Sequence, residues 1–213
     1  MDSAKEIAKD MLNSINVDGS GFWGAVGKGF ISLSASLYNL GRDYMDAEHR
    51  YDNFDDKIRM AQLIKSGTIN REVITKVISE FISQFMSRVD MDRTVNGLKK
   101  ITGNTAGKIA FAHVTGVSLG QAITNSAVGA FFSGTAVTGI LFVGAEVSRA
   151  IYTSRYLKER NFELYRKLRD MGDLDLLYYL VEDVVKPFEK ACVIHDQRPD
   201  EFNKICDYFF GGL

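Results

Sequence analysis

The sequence predicts an all-α fold, a single bundle of about eight to ten helices around a central apolar hairpin. Three observations predict it. Apolar residues recur at the 3.6-residue period over several segments, and no period-2 alternation is long enough to require a sheet. Only two prolines, Pro187 and Pro199, occur in 213 residues, so nearly the whole chain is free to be helical. A chain that is 46% apolar and 25% charged has globular proportions, not those of a disordered or fibrous protein. No Pro/Ser/Gly-rich linker divides residues 1–213, which therefore read as one helical domain.

The first helix is announced by Ser3 and Glu6, a capping box in which each side chain meets a backbone N–H of the other's turn. Ile7, Met11 and Ile15 then form one apolar face. Residues 18–29, with five glycines around Phe22 and Trp23, read as a loop or loose bend. A longer helix follows over 30–50, with Phe30, Leu33, Leu37, Leu40 and Tyr44 on one side. Asn53 is placed as the cap of a short helix containing Ile58, Ala61 and Ile64, stopped by Gly67.

The clearest amphipathic segment runs from Val73 to Met86. Val73, Ile74, Val77, Ile78, Phe81, Ile82, Phe85 and Met86 make a stripe that fits only a helix. A short helix around Val95, Leu98 and Ile101 ends near Gly103. Beyond the centre, Arg149 to Asp170 reads as one charged helix with Ala150, Leu157, Leu164 and Leu168 inward. Gly172 separates it from Leu174 to Lys186, where Pro187 starts a new turn or kinks the helix. Pro199 suits the first position of a last helix carrying Phe202, Ile205 and Phe209.

The unusual feature lies between these parts. From Ile109 to Ala145, 37 consecutive residues contain no Asp, Glu, Lys or Arg. A window of that length in an average chain holds about nine. Thr124-Asn125-Ser126 reads as a turn dividing the run into two arms, of which Ala127 to Ala145 is the more apolar. A membrane span needs ~20 residues at 1.5 Å each to cross ~30 Å of hydrocarbon, and the second arm just reaches that. The first arm is more polar, with His113, Gln121 and Asn125, which are costly in lipid. Gly116-x-x-x-Gly120 permits close helix–helix packing.

A charge-free hairpin is also what the middle of a large helical bundle contains, since a helix apolar all round is simply buried. Insertion into a bilayer and ordinary burial both stay open on this reading. Lys99, Lys100 and Lys108 before the hairpin, with Arg149, Arg155, Lys158 and Arg160 after it, suit either an anionic surface or a solvated helix face.

An all-α chain wrapped around Ile109 to Ala145, with Ala127 to Ala145 as its second arm, resembles the pore-forming domain of colicins and related interbacterial toxins. The resemblance is one of layout and involves no motif. In colicins the hairpin lies close to the C-terminus, whereas residues 146–213 follow this one. The resemblance implies a bacterial inner-membrane target, loss of the proton-motive force and a cognate immunity protein.

Other chemistry finds little support. The net charge is −1, with 26 basic and 27 acidic residues and no basic stripe, which argues against nucleic acid. Cys192, His195 and Cys206 could supply three zinc ligands, but their spacing matches no finger and a fourth is missing, so no metal or cofactor is expected. Nor does His195, one turn from Cys192, have a third group to orient it as a catalytic base. Gly24-x-x-Gly27-Lys28-Gly29 lacks the spacing and hydroxyl of a phosphate loop. Acidic residues between Asp43 and Asp56 read as a solvated helix end. No catalytic residues are assigned. His113, the one imidazole inside the uncharged run, is a candidate pH sensor because it charges under mild acid.

These readings lead to a membrane-inserting, pore-forming helical toxin or effector domain. It is made without a secretory signal and acts on a lipid bilayer, with a possible cognate immunity or chaperone protein as partner. Phe131, Phe132, Val137, Ile140, Leu141, Phe142 and Val143 are the expected inserting residues. The alternative is a soluble all-α interaction protein, an immunity protein or adaptor, whose hairpin is ordinary core.

Overall fold

The computed structural model describes residues 3–15, 50–66, 70–98, 119–134 and 144–211. Among these the fold is all-α: nine α-helices, one 3-10 turn and no strand. The helices are α1 (Ala4–Ile15), α2 (Arg50–Lys65), α3 (Arg71–Met86), α4 (Met91–Leu98), α5 (Leu119–Gly134), α6 (Gly144–Arg160), α7 (Phe162–Asp170), α8 (Tyr178–Gln197) and α9 (Pro199–Gly211). The 3-10 turn, Leu174–Leu177, precedes α8. The expected loop over 18–29 and most of the helix over 30–50 lie outside the described residues, as does Ile101.

The chain divides into two compact units, each built from separated stretches of sequence. The first comprises Met1–Phe22, Ile78–Gly134 and Asp183–Leu213, and the second Trp23–Val77 and Thr135–Glu182. Two of its crossing points fall inside α3 and α8, where no linker marks a boundary.

In the first unit α1 packs on α9 and α5, and α9 packs on α4. The capping box forms: Ser3 N donates to Glu6 Oε2 at 2.8 Å and Glu6 N to Ser3 Oγ at 3.3 Å. Ile7 and Met11 are buried beneath it. The centre of this unit is aromatic. Phe85 meets Phe188, Phe202 and Phe209 edge-on, with ring centroids 5.4, 5.8 and 6.0 Å away. Edge-to-face packing sets the positive ring edge against a negative face, which adds to the area each ring removes from water. Pro199 opens α9 at its first position, where its missing N–H has no intrahelical role.

In the second unit α6 packs on α2 and α7, and both α6 and α7 pack on the 3-10 turn. Two expectations are corrected here. The charged segment 149–170 is two helices, because Asn161 ends α6 and caps α7, its Oδ1 accepting from Leu164 N at 3.2 Å. Ala150, Leu157, Leu164 and Leu168 are buried as the spacing predicts. Asn53 is no cap: α2 begins at Arg50 and Asn53 is buried within it. Ile58, Ala61 and Ile64 point outward, while Met60 and Leu63 face in. Pro187 stands inside a continuous α8.

Candidate functional site

Part of the uncharged run is seen as α5, and it departs from the expected hairpin. Thr124, Asn125 and Ser126 are not a turn but the middle of a 16-residue helix. Small and apolar neighbours carry the helix through them, and the two most solvent-facing polar residues, Gln121 and Asn125, lie one turn apart on its exposed edge. Ile123, Ala127, Val128, Ala130 and Phe131 are buried on the other side. Phe132 belongs to the same helix. His113, Gly116, Val137, Ile140, Leu141, Phe142 and Val143 lie outside the described residues.

Gly120 sits where α5 comes close to the end of α3. A Cβ built on it would stand 3.3 Å from Met86 Cγ and 3.9 Å from Met86 Cβ. Among the described helices α5 alone has no charged residue. Elsewhere in the first unit ion pairs join elements: Arg88 Nε to Asp196 Oδ1 at 3.3 Å, and Arg93 Nη2 to Asp207 Oδ2 at 2.9 Å. No described helix is long and apolar enough to cross a membrane. At 16 residues α5 is about 24 Å long, short of ~30 Å of hydrocarbon.

The second unit holds a feature that apolar periodicity could not reveal. Arg59 on α2 donates from Nε to Asp173 Oδ1, from Nη1 to Asp56 Oδ1 and from Nη2 to Asp175 Oδ1, each at 2.6 Å. Asp175 is fully buried, and its other oxygen accepts from Ser154 Oγ at 2.6 Å. Asp56 Oδ2 accepts from Arg155 Nη2 at 3.0 Å. Burial opposes the Arg59 charge, but Asp175 beside it and the hydrogen bonds to Asp175, Asp173 and Asp56 raise its pKa above the ordinary value. The network joins α2, α6 and the turn after α7. The only hint in the sequence was the acidic run ending at Asp56, read there as solvated.

The basic residues after the uncharged run are also engaged locally. Arg155 belongs to the network, Lys158 lies 5.8 Å from the Tyr165 ring centroid, and Arg160 donates to Tyr178 Oη at 2.9 Å. Such cation–π and hydrogen-bond contacts hold these heads against the second unit.

Cys192 and Cys206 are buried free thiols, and burial pushes the pKa of each up to about 12. His195 is part-exposed, with Nδ1 3.0 Å from Asp196 Oδ1 and its ring edge-on to Phe202 at 4.9 Å. Cys192 and His195 lie one turn apart on α8, and no group of three metal-ligating side chains occurs among the described residues. No family model, curated protein or solved structure matches the chain.

Proposed function

We propose that the chain is a membrane-inserting, pore-forming helical toxin or effector domain that acts through residues 109–145. One observation carries the reading: α5 is the one charge-free helix among those described, in a unit where ion pairs join the turn after α3 to α8 and α4 to α9. Moving α5 out of the unit breaks apolar packing and hydrogen bonds but leaves no buried charge behind. Apolar burial in lipid replaces what is lost, at ~1.5–3 kcal/mol for each large side chain. The 16 described residues of α5 fall short of a span, so the reading also draws on the apolar sequence that follows them. The test is dye release from anionic vesicles at neutral and mildly acidic pH. The parent should release dye, and a Leu141→Asp/Phe142→Asp variant of unchanged helicity should not. Substituting His113→Gln should flatten any pH dependence, and an unchanged profile removes the pH-sensing role.

A second reading, a soluble interaction protein, is favoured by a different observation. Tyr51, Phe54 and Ile58 on α2 are 88%, 62% and 41% exposed, one helical stripe on the face opposite Met60 and Leu63. Exposed aromatics in a stripe are typical anchors for a partner protein. No dye release at either pH would make this the stronger reading.

A further inference from the structure

We propose that a cleft in the second unit, formed by the end of α2, the start of α3 and the Met171–Leu174 turn, binds a primary ammonium group carried on an aliphatic stem, with Asp173 as its anion. The cleft measures about 340 Å³, room for a small ligand or one long side chain. Leu63, Val73, Met171 and Leu174 supply its aliphatic wall.

The charge follows from an accounting of the Arg59 network. Three carboxylates, Asp56, Asp173 and Asp175, are hydrogen-bonded to two guanidiniums, Arg59 and Arg155, and Lys76 is the further cation at the cleft. Both oxygens of Asp175 are engaged, by Arg59 and Ser154, and both of Asp56, by Arg59 and Arg155. Asp173 gives Oδ1 to Arg59, while its Oδ2 has no partner among the described residues. It is also the most exposed of the three, at 33% against 14% and 0%, and it lines the cleft. One carboxylate oxygen of a largely buried network is thus left open beside an aliphatic wall.

Three further polar residues, Gln62, Ser66 and Lys76, line the cleft. Ser66 Oγ donates to Leu63 O at 2.7 Å and has a further interaction of its own. Gln62 adds an amide, able to donate or accept, at the same wall. Lys76 also lines the cleft but has an interaction of its own. An ammonium N–H gains a charge-assisted bond to Asp173, which a neutral alcohol of the same stem cannot make at equal strength. The group can come from a free alkylamine or from the lysine side chain of a peptide.

The test is titration of the full chain with n-butylammonium, Nα-acetyl-lysine amide and n-butanol, followed by amide NMR shifts. Saturable shifts at the Gly172 and Asp173 amides are expected with both amines, and at least about tenfold weaker binding with butanol. Tighter binding of acetyl-lysine amide assigns the site to a lysine side chain, and tighter or equal binding of n-butylammonium to a free amine. Asp173→Asn keeps an acceptor for Arg59 Nε and should weaken amine binding about tenfold or more. If that variant unfolds, Val73→Phe fills the cleft without touching the carboxylate and should abolish the shifts. Absence of saturable shifts with the amines, butanol binding as tightly as the amines, or full affinity in both variants would overturn the proposal. The inference is independent of membrane insertion, since binding is read in solution.

Discussion

Arg59 Nη2 donates to Asp175 Oδ1 at 2.6 Å, joining positions 116 residues apart in the sequence. Asp175 is fully buried, so its charge depends on this contact and on the Ser154 hydroxyl. Arg59→Met leaves the carboxylate buried without its cation and should cost about 3–5 kcal/mol in urea unfolding. Adding Asp175→Asn to that variant should recover part of the loss, because the uncompensated charge is gone. A loss below about 1 kcal/mol would mean that water reaches Asp175 and that the network contributes little to stability.

The aromatic centre of the first unit makes a prediction of a different kind. Phe85 is fully buried among Phe188, Phe202 and Phe209. Phe85→Ala should destabilise by about 3–5 kcal/mol, the lost transfer energy plus the cavity left behind. Phe85→Leu, which keeps most of the volume, should cost clearly less. Equal costs in thermal melts would place the strength of this cluster elsewhere.

The thiols report on opening. Burial pushes Cys192 and Cys206 from an ordinary 9.0 up to about 12, so folded protein near pH 8 has almost no thiolate. Labelling by a thiol reagent should be slow and should accelerate in step with urea unfolding. The sign of the alkaline effect follows: these groups contribute stability that is fully present below 9.0 and is lost as pH rises toward about 12. Rapid labelling of the folded chain at pH 8 would contradict this placement.

On the acid side Asp196 has the opposite sign. Its hydrogen bonds with His195 and then Arg88 hold its pKa below the ordinary 3.8. Its contribution is therefore present above that value and lost as pH falls through the lower folded pKa. Asp196→Asn should reduce the drop in Tm on acidification relative to the parent. An identical acid profile would mean that this carboxylate is not coupled to folding.

How far the fold could be read from residues depended on what each helix turns inward. Helices α1 and α3 were legible because Ile7 and Met11, and Ile74 to Phe85, place apolar groups at the 3.6 period on the buried side. Helix α2 was misread because Asp56 and Arg59 face in beside Met60 and Leu63, while Tyr51, Phe54 and Ile58 face out. Apolar periodicity locates a face, but an ion network inverts which face is buried. The break at Asn161 was missed because 149–170 keeps its helical spacing across the cap. At Thr124–Ser126 the turn residues were read correctly for their propensity, but packing of Ile123, Ala127 and Phe131 overrode it. Nothing in the sequence could show that Asp173 meets Arg59, because 114 positions separate them.

The central claim is that α5 leaves its place in the first unit to act, and a reversible lock tests it most directly. A Cβ at Gly120 would lie 3.9 Å from Met86 Cβ, within the ~3.5–4.5 Å that a disulfide spans. The Met86→Cys/Gly120→Cys protein should therefore cross-link α5 to α3 on oxidation, with the two native thiols too deeply buried to interfere. The measurement is dye release from anionic vesicles by this protein, oxidised and then reduced. The account predicts no release when oxidised and release at the parent's level after reduction. Equal release in both states would contradict it, because α5 would then be acting without leaving α3.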